Sequence, residues 1–423
     1  MREPGMIRTS EKSIGRSTAL AALICALAIL FAGTASLQAK DKKKQAPAAP
    51  PQKNLLELLD YSKIVWPNPP AITRIKYQSY FSGEKRELKA TQQKTSWMDR
   101  LSGVAVGQQS QTDKLFFQLV RPYGVGVDSK GRVYIADEKV LAVFIFNPET
   151  GQVELMKNGQ HANFKLITGL ALDDGDTLFV SDSALRHVLV FDKQHRAQAS
   201  ISQGMATPAG LAVDNENRFL YVADSELDQV LVYDADPPYK LLRTIGKPGS
   251  KHELTTPGDF SRPTNLAVDK DGNLYVTDTF NDRVEIFDAD GNFIRTFGKA
   301  GDGPGYFARP KGIAIDADGH IWVADAVQDR VQVFTPEGQL LIYLGGHGLL
   351  PGQFSTLAGL TIDKNNRVLT SEQYPGRVQI FRYFTDAEAK AEKDRRDAEE
   401  QKKRGGTAAK QTATANPAMT PPK

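Results

Sequence analysis

Six times along this chain an aspartate closes a short apolar run, a tight turn follows, and a second strand-like run ends on another acid. The first acids are Asp128, Asp173, Asp214, Asp269, Asp316 and Asp363, and the second are Asp137, Asp182, Asp224, Asp278, Asp325 and Glu372. Nine residues beyond each second acid stands an aromatic: Phe146, Phe191, Tyr233, Phe287, Phe334 and Phe381. Units recurring every 41 to 55 residues are too small to bury a face alone. They become stable by packing on neighbouring copies, as in a propeller or a solenoid.

Turn chemistry identifies the pieces as strands. Asp269-Lys-Asp-Gly272 and Asp316-Ala-Asp-Gly319 are tight connections whose last position calls for a positive φ; Gly131, Asp176, Asn217 and Asn366 stand there in the other units. All of these tolerate the left-handed region. Around the turns lie β-branched and aromatic runs such as Asn273-Leu-Tyr-Val-Thr277, Arg283-Val-Glu-Ile-Phe287 and Phe293-Ile-Arg-Thr-Phe297. Four strands per unit make a propeller blade. The sixth unit shows only three, ending at Arg377-Val-Gln-Ile-Phe-Arg-Tyr-Phe384, whereas Ile72–Phe81 upstream, followed by Gly83, has the pattern of the last strand of blade four. The fold expected is therefore all-β: a six-bladed β-propeller of four-stranded blades over residues 72–384, closed by the N-terminal strand in its last blade. Residues 84–115 form an insertion before blade one. Closure removes the open sheet edges that an unclosed array would expose.

Blades four and five, with Arg262-Pro-Thr-Asn-Leu-Ala-Val-Asp269 and Arg309-Pro-Lys-Gly-Ile-Ala-Ile-Asp316, resemble NHL repeats almost throughout. The resemblance covers about residues 72–384 and is strongest to exported bacterial six-bladed members, which carry a lead-in like Trp66-Pro-Asn-Pro-Pro70. Blades two and six depart from it, with Ile167 and Leu357 in the proline position, and Ala142, His187 and Gln229 replace the arginine of Arg283, Arg330 and Arg377.

The ends point to export. Arg2, Arg8, Lys12 and Arg16 precede an apolar core from Leu20 to Phe31, and small residues run up to Ala39. Residues 1–39 read as a secretory signal peptide, an uncleaved inner-membrane anchor being the alternative. The expected place is the periplasm or the medium, with no membrane span after cleavage. The one cysteine, Cys25, lies inside the apolar core, so the mature chain has no thiol for disulfides or catalysis. Residues 40–71 form a basic, proline-rich linker. At the far end, 385–423 hold a charged helix, Asp386 to Arg404, without an apolar stripe, and a disordered tail. The formal charge of +3 resides in these ends, and residues 54–385 come to −5. A mildly acidic body excludes general nucleic-acid binding.

Binding and catalytic groups occur once, whereas structural groups repeat with the blades. The acids fall in the second class: the first set caps its own turns, and Asp278, Asp325 and Glu372 each precede an arginine by five residues (Arg283, Arg330, Arg377) in the spacing of a loop-bridging pair. Three arginines at inner-strand starts, Arg121, Arg262 and Arg309, are candidates to clamp a carboxylate, phosphate or acidic peptide at the channel mouth. Asn265 joins them, an amide where five blades place glycine. The expected function is a monomeric, non-catalytic scaffold binding a protein, peptide or glycan in the cell envelope, with no cofactor. The resemblance leaves an enzymatic alternative in which calcium or zinc is not excluded. Peptidylamidoglycolate lyases hold zinc with histidines, and six-bladed lactonases hold calcium with Glu, Asn and Asp. The six histidines here are scattered over loops and different strand positions, and Asn265 has no companion ligands evident in the sequence.

Overall fold

A computed structural model of the chain describes residues 59–83, 118–248 and 256–414, the side chains of 400 and 402–414 excepted. The signal peptide, most of the linker, the 84–115 insertion and the end of the tail lie outside the described residues. Six antiparallel sheets stand in a ring, each with its first strand innermost. The inner strands are Pro122–Val127, Ile167–Leu172, Pro208–Asp214, Pro263–Val268, Pro310–Ile315 and Leu357–Ile362. Each packs on the next in cyclic order, the sixth on the first. Blade four is representative: after its inner strand come Leu274–Asp278, Arg283–Phe287 and Phe293–Phe297. In blade six, Ile75–Phe81 pairs antiparallel with Arg377–Tyr383 as the fourth strand, and Val65–Trp66 adds a fifth outside it.

Each inner strand carries a bulge just after its start; in blade four Pro263 faces Asp278 but Leu266 faces Val276. A bulge tightens the local twist and accommodates a proline that has no N–H to donate. At the bulge stands the repeated glycine, pressed against the backbone of the next blade. A Cβ on Gly169 would lie 2.1 Å from the Ala209 carbonyl oxygen, on Gly210 2.4 Å from that of Thr264, and on Gly359 2.3 Å from that of Tyr123. No side chain fits there, so glycine sets how closely the blades approach. Outside this contact the sheets bury apolar faces on one another: Tyr221, Val230 and Ile245 of blade three pack with Leu266, Leu274, Val276 and Phe287 of blade four. Connections between blades are plugged by fully buried rings, Phe164, Phe260, Phe307 and Phe354. Burial of each is worth about 1.5–3 kcal/mol.

The repeated acids hold turns. Asp128 Oδ1 accepts from the N–H groups of Lys130 and Arg132 at 3.0 and 2.8 Å, and Asp269, Asp316 and Asp363 do the same. The second acids, all fully buried, fasten the incoming connection. Asp137 Oδ2 accepts from Val120 and Arg121 N–H at 2.7 and 2.9 Å, and its Oδ1 accepts from the turn that follows. In blade three the positive φ belongs not to Asn217 but to Arg218, at 55°. Its first two strands, Pro208–Asp214 and Phe219–Asp224, are each one residue longer than the usual pair, which moves the turn. Ion pairs of Arg218 with Asp236 and Asp173, at 2.8 and 3.2 Å, hold the conformation. Of the three acid–arginine pairs, Asp278–Arg283 and Glu372–Arg377 form at 2.9 and 2.8 Å. Arg330 instead donates to the Asp302 carbonyl at 3.1 Å.

The C-terminal helix runs Asp386–Thr414, past Arg404 and through Gly405. Its start is a capping box: Thr385 Oγ1 accepts from Glu388 N–H, and Glu388 accepts from Thr385 N–H at 2.9 Å. The first turns dock on the ring. Ala389 is buried, Arg382 pairs with Glu388 at 2.6 Å, Arg74 pairs with Asp386, and Arg396 donates to Thr73.

Blade four contains an electrostatic irregularity. Arg283 lies between two fully buried carboxylates, Asp278 at 2.9 Å and Glu285 at 2.6 Å. Blades five and six place neutral Gln332 and Gln379 where Glu285 stands, each accepting from a loop glycine N–H and donating to a loop carbonyl. Glu285 accepts from Gly258 in the same way, at 2.8 Å. Burial pushes its carboxyl up to about 7 against the relief given by Arg283 and Gly258, and Asp278 and Asp259 add to the rise. A pKa raised on folding favours the native state below the unfolded value, 4.5, and that contribution is lost as pH climbs through about 7. Glu285→Gln is expected to remove this pH dependence and raise stability at pH 8 by about 2–3 kcal/mol. Urea unfolding at pH 5 and pH 8 measures it; parallel wild-type and variant curves would refute the raised pKa of Glu285. At the closing seam, Gly359→Ala forces a Cβ against the Tyr123 carbonyl and is expected to cost about 2–4 kcal/mol. A loss of under about 0.5 kcal/mol in the same assay means the seam relaxes freely.

Candidate functional site

The central channel, about 340 Å³, is lined by the inner strands: the glycine backbones, rings of Leu, Val and Ile, and Asn265. Asn265 is tied by its backbone to Thr277 Oγ1, while its side-chain oxygen is buried and takes no hydrogen bond from the described residues. It occupies the position where Gly210, one blade earlier, touches Thr264 and Asn265.

At the strand-start mouth the symmetry breaks on one side. Blades two, three and four each send a hydroxyl, Ser183, Ser225 and Thr279, to the carbonyl of the next blade's Pro208, Pro263 and Pro310 at 2.8–3.0 Å. Blades five, six and one have Ala326, Gln373 and Glu138 at that position. The residue before the seam glycine also changes, to Lys311 in blade five and Tyr123 in blade one, with buried Ala358 between them. Alanine there leaves room for Lys311 to reach across blade six, and its Nζ lies 5.4 Å from the Tyr123 ring centroid. Arg121 Nε pairs with Glu138 Oε1 at 2.6 Å, and Gln373 Nε2 donates to the same oxygen at 3.1 Å.

The local electrostatics are those of a half-desolvated charge cluster. Burial lowers the Lys311 ammonium pKa, with Glu138 opposing and Arg121 adding to the fall. Burial raises the Glu138 carboxyl against the pull of Arg121, and burial with Glu138 nearby raises the Tyr123 phenol. Arg121, Lys311 and Glu138 together carry one net positive charge. The Tyr123 hydroxyl, with no hydrogen-bond partner among the described residues, adds a neutral donor. Such a corner suits a single carboxylate: an exposed guanidinium and a partly buried ammonium to pair with it, and a phenol to donate.

Of the sequence candidates, Arg121 belongs to this corner and Asn265 lines the channel below. Arg262 and Arg309 stand on the outer rim, their guanidiniums 5.5 and 4.7 Å from the Phe280 ring centroid. Arg309 also reaches Asp282 at 3.5 Å. Sequence reasoning missed Tyr123, Glu138, Lys311 and Gln373. The signal lay in the variable position before each seam glycine and in the residue after each second acid.

The opposite mouth holds a larger groove, about 570 Å³, with Asp269, Asp271, Asp316, Asp318 and Asp363 against Lys270, Arg295 and Lys364. Here Asp316, Asp318 and His320 bring ligand atoms within 4.8 Å of one another, a group able to hold a metal ion. The arrangement is also that of the repeated turn. Asp316 Oδ2 is engaged by His320 Nδ1 at 3.0 Å and Trp322 Nε1 at 2.9 Å, and Arg132, Asn273 and Arg367 replace His320 in blades one, four and six. Among the described residues no helix is long and apolar enough to cross a membrane.

Residues 253–331 match the DUF5128 family, described as a 6-bladed beta-propeller. The chain is 28% identical over 178 residues to a probable peptidyl-alpha-hydroxyglycine alpha-amidating lyase of Caenorhabditis elegans, covering 38% of this chain and 48% of that protein. It is 30% identical over 95 residues to NHL repeat-containing protein 2 of Gallus gallus, covering 21% of this chain and 13% of that one. The chain thus spans about half the first relative and a small part of the second. Among solved structures, a gluconolactonase from Xanthomonas campestris aligns with a TM-score of 0.48 and 19% identity over 63% of this chain and 88% of that one.

Proposed function

We propose, for a chain that is an NHL-type six-bladed β-propeller, that it serves in the cell envelope as a binding module whose ligand presents a carboxylate to the strand-start mouth. One observation carries the reading: Arg121, Lys311 and Glu138 converge there with one unneutralised positive charge, at three consecutive blades with no hydroxyl in the position after the second acid. Arg121 and Lys311 take the carboxylate and Tyr123 donates to it. Glu138, braced by Gln373, holds Arg121 in place. Asn265 offers its free oxygen to a donor deeper in the channel. Peptides ending in a free carboxylate and small organic acids have this chemistry. The N-terminal signal read from the sequence supports export.

A second reading, a propeller enzyme, draws on the match to the probable lyase and on the Asp316, Asp318 and His320 group. That group lies at the far mouth, away from the charge corner, and its carboxylate is already committed to its own turn. The binding reading therefore stands first.

Isothermal titration of the full chain with acetylated dipeptides and their C-terminal amides tests it. The acids are expected to bind, and the amides to bind at least about tenfold more weakly, the worth of one charge-assisted pair. Lys311→Met is expected to lose the acids by about 10–100-fold while leaving the melting temperature near wild type. Equal binding of acids and amides, or an unaffected Lys311→Met, overturns the assignment. Turnover of a dipeptide by chain loaded with calcium or zinc would move the protein to the enzymatic reading.

A further inference from the structure

The strand-start face has a second asymmetry, outside the mouth. At the tip of the turn between the second and third strands, blades one to three present Lys139, Ala184 and Glu226, whereas blades four to six present Phe280, Val327 and Tyr374. These last are 47%, 64% and 61% exposed. Leu349 and Leu350, on the connection into blade six, are 48% and 53% exposed on the same side. The larger and more exposed apolar side chains are thus grouped on this half of the face, against Leu166 and Leu185 of blade two at 38% and 39%, and such a grouping marks an interaction surface.

Cations accompany them. The guanidiniums of Arg262 and Arg309 both lie against the Phe280 ring, and Arg309 Nη1 also donates to the Ala308 carbonyl at 2.9 Å. Arg262 makes no ion pair among the described residues; its backbone N–H, not its side chain, is what Asp228 receives. Lys299 lies over the Tyr306 ring, 4.7 Å from its centroid, in the connection between blades four and five. The acids on the same turns face inward. Asp282 is 13% exposed beside Arg309, and Asp329, 10% exposed, accepts from His347 and from the Thr356 N–H. On this half-face Arg262 and Lys299 are cations without an ion pair among the described residues, set against the exposed carboxylate of Asp302.

We infer that the rim of blades four to six is a docking strip for an acidic protein segment bearing aromatic or large aliphatic side chains. Its apolar groups rest on Phe280, Val327 and Tyr374, and its carboxylates meet Arg262, Arg309 and Lys299. Stacked guanidiniums offer such a segment both a flat apolar surface and a fork for bidentate pairing. A basic segment is repelled, and a purely apolar one leaves the cations unpaired. This surface goes beyond the carboxylate corner, which lies on blades five, six and one and uses other residues.

The test is fluorescence anisotropy of the full chain with a labelled peptide alternating Glu and Phe, compared with versions carrying Lys for Glu and Ser for Phe. The Glu/Phe peptide is expected to bind, and both substituted peptides to bind at least about tenfold more weakly. Raising salt weakens the Glu/Phe complex. Val327→Asp and Phe280→Ser each lower its affinity about tenfold or more without moving the melting temperature by more than a few degrees, because both side chains are exposed. Lys311→Met, which empties the mouth of its ammonium, leaves this affinity within about twofold and so separates failure of the strip from failure of the carboxylate corner. Binding of the Lys peptide as tightly as the Glu peptide, no binding of either, or indifference to Val327→Asp and Phe280→Ser overturns the proposal.

Discussion

The contact on which this ring depends is backbone on backbone. At Gly169, Gly210 and Gly359 the inner strand of one blade lies so near the next that a Cβ would fall 2.1–2.4 Å from a carbonyl oxygen. That spacing fixes the channel width, and with it what can reach across the mouth. Lys311 reaches Tyr123 over the intervening blade because the strands are drawn this close and because Ala358 lies between. Asn265 is the one departure from glycine at this position, and it places an amide oxygen in the channel that no described residue satisfies. The channel chemistry therefore follows from how the seam is packed.

Symmetry gives a rule for separating structure from function. Groups that recur serve the blades in the same way: first acids cap turns, second acids hold connections, and in four blades a buried phenylalanine plugs the gap between sheets. Charged side chains placed once, with no counterpart in the other blades, carry a desolvation cost that the repeated contacts do not offset. Lys311 and Glu138 are of this kind, both shifted by burial toward their neutral forms. Glu285 is a different exception. It keeps the accepting half of the role of Gln332 and Gln379 but places a second carboxyl, raised by burial, beneath one connection.

Most of the fold was legible because turn and strand signals are local. The aspartate turns, the bulge glycines and the missing fourth strand of blade six can each be found within a few residues of sequence. The sequence was least informative where a distant partner decides. Arg218 takes the left-handed conformation because two added strand residues displace the turn and two aspartates hold it, and Arg330 leaves Asp325 for the Asp302 carbonyl of the incoming connection. The arginines flagged at strand starts share one sequence position but not one role, since Phe280 draws two of them to the rim. Tyr123 and Lys311 sit in a column of threonines and alanines, where only the ring geometry shows that two unlike residues, two blades apart, meet.

Closure and the candidate site share one residue, and that constrains how the site can behave. The Tyr123 carbonyl receives the Ser371 hydroxyl and abuts Gly359, while its ring faces the Lys311 ammonium. Its backbone thus belongs to the seam that joins the two ends of the propeller, and its side chain to the charge corner. A ligand that neutralises Arg121 and Lys311 removes repulsion between two cations held on blades one and five, the blades flanking the closing one. Binding at this mouth is therefore coupled in sign to closure: it favours the joined ring, and a loosened seam weakens the site by moving Tyr123 away from Lys311.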